Sequence, residues 1–169
     1  MIDRPGEGEK TVTVVLSESP DEPGRAIVGF RPFDTRVVTL PFEVDIRTDD
    51  IGGPSAGLAF TLALIDQLSP GQLTGGRDVA VTGTIGLDGS VGAIGGLAQK
   101  VSAVHQNGVD VFLVPASQSE LSDPKQMQTL IDAGRGEVKI IPVATLDEAL
   151  AVLEGLGGDP LVRVGDEQS

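Results

Sequence analysis

The feature that most constrains the fold is an almost wholly apolar run from Pro54 to Leu68, PSAGLAFTLALIDQL. Its polar residues lie almost only near its ends, which predicts a helix buried on nearly all sides. Proline suits the first helical position because it has no N–H to leave unpaired there. We therefore expect the amino end of this helix to be a fixed point of the fold.

The rest of the chain alternates between patterns typical of strands and of helices, and it shows no internal repeat. Strands are predicted at 11–16, 25–30, 38–46, 78–85 and 91–94 and in the runs VDVFLVP and VKIIPV. A helix is predicted over 97–107, where Gly108 ends it, and another over LDEALAVLEGL, which a capping box of Thr145 and Glu148 opens. The alternation after residue 50 predicts an α/β (α+β) domain.

Composition excludes several classes of function. The 169 residues contain no cysteine, which rules out disulfides, thiolate nucleophiles and sulfur-ligated metals. The single histidine, His105, cannot form a paired-imidazole zinc site, so we expect neither a metal nor a cofactor. A formal net charge of -13 argues against nucleic acid as a partner, because phosphate binding needs clustered Lys and Arg.

Ser55 is the candidate nucleophile. It lies in the first turn of the predicted buried helix, where unpaired N–H groups and the positive end of the helix dipole converge. The backbone N–H groups of Gly53, Ser55 and Ala56 are therefore predicted to hold an oxyanion. A serine at this position needs a base to take its proton. The alternative is that Ser55 merely caps the helix.

Lys100 is the candidate base. On the predicted helix 97–107 it lies at the edge of the apolar stripe of Leu97, Val101 and Val104, so it points partly inward. It must be neutral to accept a proton, and burial must outweigh the acidic charge of the domain, which favours the ammonium. Alternatively, its stem covers apolar surface while its amine stays in water. His105 is a rival base, about 140° around the same helix.

Several motifs together carry a resemblance. GGPSAG is followed by VAVTGTIGLDGSVGAIGGLAQK, NGVDVFLVPASQ and VATLDEAL, and the likeness extends from Phe42 to Leu153. The sequence resembles the proteolytic domain of the Lon family. The resemblance implies the Lon proteolytic fold, which is similar to the ribosomal-protein domain-2-like fold, and a serine endopeptidase that acts on protein or peptide substrates. It implies Ser55 as nucleophile, Lys100 as base and Thr82 of VTG beside the lysine.

Two positions depart from the family pattern. Gly52 and Thr84 stand where many ATP-dependent members have acidic residues. The chain also has no phosphate-binding GxxxxGKS loop, so we expect peptide hydrolysis without ATP.

Residues 4–30 resemble the last strand of a PDZ domain and the connection after it. This likeness suggests the membrane-anchored Lon-like proteases of bacteria. It divides the chain into a PDZ remnant and linker at 1–34, a peptidase domain at 35–156 and a flexible tail at 157–169. The anchor would then lie upstream, in the cytoplasmic membrane, with the peptidase domain outside. Family members form rings, which implies a homo-oligomer such as a hexamer.

Two other functions are compatible with these residues. Small-molecule kinases of the galactokinase and homoserine kinase type resemble this fold and bind nucleotide at a Gly/Ser-rich helix start. The domain could also be an assembly module of the same fold without catalytic turnover.

Overall fold

A computed structural model describes residues 2–4, 8–11, 13–18, 24, 26, 27, 44 and 53–161. The chain divides into two compact units, residues 1–44 and 45–169. The described strands of the first unit form two antiparallel pairs. These are β1 (Ile2–Arg4) with β2 (Gly8–Lys10), and β3 (Ser17–Glu18) with β4 (Ala26–Ile27).

The first unit differs from the sequence expectation at one strand. The described residues of 11–16 are not in a strand, and Val14, Val15 and Leu16 are exposed. Their β-branched composition suits a pleated surface, but strand propensity alone does not supply a partner strand. The strand predicted within 25–30 is confirmed at Ala26–Ile27, whereas the strand predicted at 38–46 lies almost entirely outside the described residues.

The second unit contains four described α-helices. They are α1 (Gly57–Leu68), α2 (Leu97–Gln106), α3 (Pro124–Ala133) and α4 (Leu146–Gly155). Its described strands are β5 (Ala80–Val81), β6 (Thr84–Ile85), β7 (Val91–Gly92), β8 (Val111–Pro115) and β9 (Lys139–Val143). None of the described helices is both long and apolar enough to cross a bilayer.

Among the described strands of this unit, β5, β8 and β9 form a parallel sheet in that order. Val81 pairs with Leu113, and Leu113 pairs with Ile141. All five residues of the central strand β8 are buried. A strand covered on both faces requires a continuous apolar sequence, which VFLVP provides.

The two faces of the sheet support two separate apolar cores. On one face, Val111 and Leu113 pack with Leu58 and Leu62 of α1 and with Leu153 of α4. On the other face, the alternate residues of β8 pack with α2 and α3, through Phe112, Val114, Leu97, Val101 and Leu130. Burying each such side chain contributes roughly 1.5–3 kcal/mol. Helices α1 and α2 are thereby fixed on opposite faces of one sheet.

The strand predicted at 78–85 is two short strands in two different sheets. β5 pairs with β8, whereas β6 pairs antiparallel with β7 in the predicted hairpin, where Ile85 is opposite Val91. The chain breaks direction at Gly83, whose φ of 152° disfavours a side chain. A Cβ there would lie 2.7 Å from Cγ1 of Val91.

Helix α3 is an element that the sequence patterns did not predict. It begins after Asp123, whose carboxylate accepts hydrogen bonds from the N–H groups of Lys125 and Gln126. Pro124 occupies its first position. The run Asp-Pro is the signal that could have identified it, because a capping aspartate before proline is a common helix start.

The tail predicted as flexible from residue 157 is held at its start. The N–H of Asp159 donates to O of Gln72 at 3.0 Å, and the N–H of Gln72 donates to the Asp159 carboxylate at 2.9 Å. The N–H of Gly158 donates to O of Leu153. This segment therefore packs against the loop that follows α1, and residues beyond 161 lie outside the described part of the chain.

Candidate active site

Ser55 lies in a single 3-10 turn, Pro54–Ala56, that leads directly into α1. Gly53 precedes the turn with φ 83° and ψ 166°, a backbone conformation that favours glycine. Proline follows at the first position of the turn, as predicted. The local sequence therefore fixes a sharp entry into α1, with Ser55 half-buried at the entry. The prediction that this helix is buried on nearly all sides is wrong, because it packs on the sheet by one face: only Leu58 and Leu62 are buried, and Leu68 is 56% exposed.

The carbonyl oxygen of Ser55 accepts two hydrogen bonds from the junction between β5 and β6. The N–H of Gly83 donates at 2.8 Å and the Thr82 hydroxyl donates at 3.0 Å. In return, O of Gly83 accepts the N–H of Leu58 at 3.1 Å. The backbone of the serine turn is thus fixed to the sheet by three hydrogen bonds.

The structure does not support the alternative that Ser55 is only a helix cap. The residue before the 3-10 turn is Gly53 and the residue before α1 is Ala56, and neither start has a side-chain cap. Within residues 53–161, the Ser55 hydroxyl makes no hydrogen bond to another residue. Its Oγ is therefore free of any competing partner there.

Thr82 contacts Ser55, but it does so at the backbone carbonyl of the serine and not at its hydroxyl. The side chain is buried, and its N–H donates to O of Leu113, which extends the pairing of β5 with β8 by one residue. Its hydroxyl donates a hydrogen bond to O of Ser55. A hydroxyl oxygen keeps lone pairs after donating, so it can still accept a bond from an ammonium or amine. The expected role beside the lysine stays a prediction.

Lys100 lies in the first turn of α2. Its N–H donates to O of Gly96 at 3.1 Å, and its neighbours in the chain include the buried Val101. The lysine side chain is half-buried, as the helix-face argument predicted. Among the described residues, it has no ion pair with a carboxylate.

The starts of α1 and α2 meet the same edge of the parallel sheet. Ser55 contacts Gly83, just past the end of β5, and the N–H of Ile94, just before α2, donates to the side chain of Gln118, just past the end of β8. Since β5 and β8 are parallel, both junctions lie at their carboxyl ends, where ligands of such sheets commonly bind. Ser55 and Lys100 are therefore carried to one edge from opposite faces.

Ser55 and Lys100 are not joined by a hydrogen bond among the described residues. Catalytic hydrogen bonds are often long without substrate and shorten only in the substrate complex. The pairing of the two side chains stays a prediction.

His105 lies at the wrong end of the sheet for the rival role. Its Nδ1 is 3.3 Å from the carboxylate of Glu137. Glu137 comes just before β9, and therefore at the amino end of the parallel strands. The serine turn lies at the carboxyl end. His105 is consequently remote from Ser55.

The predicted oxyanion donors lie at the serine turn. Of its amides, Gly57 N–H is engaged, since it donates to O of Pro54. The roles of the Gly53, Ser55 and Ala56 amides stay a prediction. In the part of the chain that the structure describes, no three His, Cys, Asp or Glu residues are grouped so that they could hold a metal ion.

Gln118 belongs to the PASQ segment, but the sequence alone indicates no role for it. Its side chain is 3% exposed, and its Oε1 accepts the N–H of Ile94 at 2.7 Å. The signal available in the sequence was a polar residue soon after a fully apolar strand. Only the fold shows that it reaches the start of α2.

Comparison with known proteins identifies related sequences. Residues 48–154 match the model of the Lon protease (S16) C-terminal proteolytic domain. Lon protease 1 of Sorangium cellulosum is 32% identical over 159 residues, covering 87% of this chain and 18% of the relative. Lon protease 1 of Myxococcus xanthus is 31% identical over 156 residues, covering 86% and 18%. Lon protease of Chloroflexus aggregans is 38% identical over 99 residues, covering 59% and 11%. The chain thus spans less than a fifth of these relatives.

Proposed function

Because this chain belongs to the family of Lon protease (S16) C-terminal proteolytic domains, which are serine peptidases with a Ser/Lys dyad, we propose that Ser55 and Lys100 are its dyad. Ser55 is the nucleophile and Lys100 is the base. The substrates are peptide bonds in proteins or peptides. Because the chain spans less than a fifth of these relatives, the proposed dyad describes the chemistry of the 169 residues and not the activity of a whole relative.

The chemistry is acyl transfer in two steps. Neutral Lys100 takes the proton of the Ser55 hydroxyl as Oγ attacks the peptide carbonyl, and the backbone N–H groups around Gly53, Ser55 and Ala56 stabilise the oxyanion. The lysine then gives that proton to the departing amine. Water hydrolyses the acyl-enzyme by the same route and regenerates Ser55.

The observation that best supports this function is the pair of hydrogen bonds on the Ser55 carbonyl. They fix the serine backbone while its hydroxyl has no partner among residues 53–161. A side chain that serves only structure would be expected to use its hydroxyl in a cap or a backbone bond. A fixed backbone beneath an unengaged hydroxyl suits a nucleophile, since catalysis depends on orientation.

The test is covalent labelling by a serine-reactive phosphonate, combined with cleavage of an unfolded protein. Ser55→Ala should abolish both the label and cleavage, and Lys100→Ala should lower both by at least about a hundredfold, the usual size of a general-base contribution. Ser122→Ala and Lys125→Ala are matched controls at exposed positions of α3 and its approach. Loss of labelling in His105→Ala with retention in Lys100→Ala would overturn the assignment of the base.

Hydrolysis without ATP is part of the proposal. Its support is the absence of a GxxxxGKS loop in the 169 residues. Cleavage of an unfolded protein by this chain should proceed at the same rate with and without ATP and magnesium. A rate that rises severalfold with ATP would contradict it.

We also propose the arrangement suggested by residues 1–34, in which a PDZ domain and a membrane anchor precede the peptidase domain and the longer protein forms a ring. The support is the resemblance of residues 4–30 to the last strand of a PDZ domain, together with the ring-shaped oligomers that members of the family form. Light scattering of the longer protein in detergent should give a closed oligomer such as a hexamer. A monomer that cleaves protein at full rate would contradict the ring.

The kinase-like alternative has less support. The Gly/Ser-rich segment at the start of α1 is a single 3-10 turn, and the family match is to a peptidase domain. Calorimetry with a nucleotide and magnesium should show no binding. The non-catalytic alternative predicts that no phosphonate label is taken up.

A further inference from the structure

We propose that Gln118 is a positioning residue for Lys100, acting through the backbone of Ile94. The inference rests on the proposed role of Lys100 as base. It adds Gln118 as a residue on which the position of that base depends. Gln118 contacts neither reacting side chain. Its effect on the site would run through the start of α2.

Apart from the buried Leu97, the start of α2 has few contacts among the described residues that fix its backbone. Gly96, which precedes the helix, is in the left-handed region at φ 69°, and the helix has no side-chain cap. Gly95 and Gly96 are adjacent, and a Cβ on Gly95 would meet no other atom within 4 Å. Neither glycine has a side chain to restrict its backbone, so both positions rotate more readily than other residues. The backbone of the first turn, which contains Lys100, therefore depends on the packing of Leu97 and on what holds the chain before the glycines.

The Gln118 side chain fixes the chain immediately before these glycines. Its Oε1 accepts the N–H of Ile94 at 2.7 Å, and the side chain is 3% exposed, so water offers no ready substitute. From Ile94 the path is short, because Gly96 O accepts the N–H of Lys100. One hydrogen bond just before the glycines, at Ile94, and one on the carbonyl of Gly96 connect Gln118 to the lysine backbone.

The orientation of the Gln118 amide is also fixed. Its Nε2 donates to Oε2 of Glu120 at 3.2 Å, and the same oxygen accepts the hydroxyl of Ser119 at 3.2 Å. An ionised carboxylate only accepts, so it must face the amide nitrogen and leave Oε1 for Ile94. The pair thus specifies which end of the amide meets α2.

Phosphonate labelling of Ser55 in the full chain tests the inference, at a temperature where all variants are folded. Gln118→Met keeps the length of the side chain but removes both hydrogen bonds, and it should slow labelling by about 10- to 100-fold, as small misplacements of a catalytic group do. Asp123→Ala is the matched control. It removes the cap of the neighbouring α3 and should lower Tm without slowing labelling.

An exchange of donor and acceptor separates positioning from packing. Gln118→Glu alone places two carboxylates together and should slow labelling. Combined with Glu120→Gln, it restores an acceptor for Ile94 and a donor between the two side chains, and most of the labelling rate should return. Amide hydrogen exchange at Lys100 should be faster in Gln118→Met and slow again in the double variant.

The outcomes are distinguishable. If wild type is labelled at Ser55 and Gln118→Met is labelled equally fast, this inference is wrong and the proposed function stands. If Gln118→Met slows labelling but the double variant does not recover, Gln118 contributes packing only, which also overturns it. If wild type takes no label, the proposed function fails, and the positioning of a base by Gln118 fails with it.

Discussion

At the scale of single residues, the carbonyl of Ser55 connects the site to the fold. A hydroxyl and an amide from consecutive residues, Thr82 and Gly83, both donate to it. The two bonds differ in what a substitution can remove, because only the Thr82 bond comes from a side chain. The Thr82 hydroxyl can therefore be tested separately from the backbone.

Thr82→Val should lower activity more than stability. It removes one buried hydrogen bond and should cost about 1 kcal/mol in the free energy of unfolding, while labelling of Ser55 should slow by about tenfold or more because the serine turn loses orientation. Thr82→Ser should recover most of the rate. The control is Thr129→Val, since Thr129 makes a similar bond to O of Lys125 at an exposed position of α3. Equal labelling of Thr82→Val and wild type would exclude this role.

Gly83→Ala should destabilise the domain strongly. The new Cβ would lie 2.7 Å from Cγ1 of Val91, at a φ of 152° that L side chains rarely adopt. Backbone strain of this kind costs about 1–3 kcal/mol, before the clash is counted, and denaturant unfolding would measure it. By contrast, Gly155→Ala in the last position of α4 meets no other atom within 4 Å. It should leave stability unchanged or raise it by less than about 1 kcal/mol.

At the scale of elements, the β6–β7 hairpin is shaped by its own turn. The carboxylate of Asp88 accepts the hydroxyl of Ser90 at 2.7 Å and its N–H at 3.0 Å. Both hydrogen bonds lower the pKa of Asp88, and the bond from the Ser90 hydroxyl has the larger effect. The same turn meets α4, since O of Gly89 accepts the N–H of Leu146.

The turn should therefore loosen in acid. A carboxyl whose pKa is lowered on folding stabilises the fold above its unfolded pKa, and this contribution is lost as pH falls through the folded pKa. Ser90→Ala should move the pKa of Asp88 upward, toward its ordinary value. Carboxyl chemical shifts in an NMR titration would measure it, with Asp132 as an exposed control. An unchanged Asp88 titration would show that the Ser90 hydroxyl has no influence.

Local patterns predicted the elements whose signals are local. The apolar run from Pro54 predicted α1 and its start. Thr145 caps α4 by accepting the N–H of Glu148, as predicted. The Glu148 carboxylate, however, accepts the N–H of Ala144 and not that of Thr145. The break at Thr82 and Gly83 was not predictable, because Gly83 packs against side chains from other elements, Val91 above all, that are distant in sequence. In the same way, the partners of Thr82 and Gln118 depend on tertiary contacts.

At the scale of the whole second unit, the chain after α4 packs back against the loop that follows α1 and against the core. Asp159 exchanges two hydrogen bonds with Gln72, and a Cβ at Gly158 would overlap O of Leu73. The side chain of Leu161 packs against the core that α1 and α4 share. The domain therefore extends past the helix that closes the family match at residue 154.

Removing this segment should weaken the domain. A chain that ends after Leu156 loses these bonds and the apolar contact of Leu161, and it should unfold with a free energy lower by about 1–3 kcal/mol. A chain that ends after Leu161 is the matched control and should unfold like the full chain. Chemical denaturation of the two truncated proteins would compare them. Equal midpoints would mean that 157–161 add nothing to stability.

The convergence of α1 and α2 on one edge of the sheet also bears on when the protein can become active. Ser55 and Lys100 are carried by helices that pack on opposite faces of a sheet in which β5 and β8 are paired. Neither segment alone contains both groups. On the roles proposed for these two residues, a nascent or partly folded chain would not bring them together, so hydrolysis would begin only once the sheet has formed.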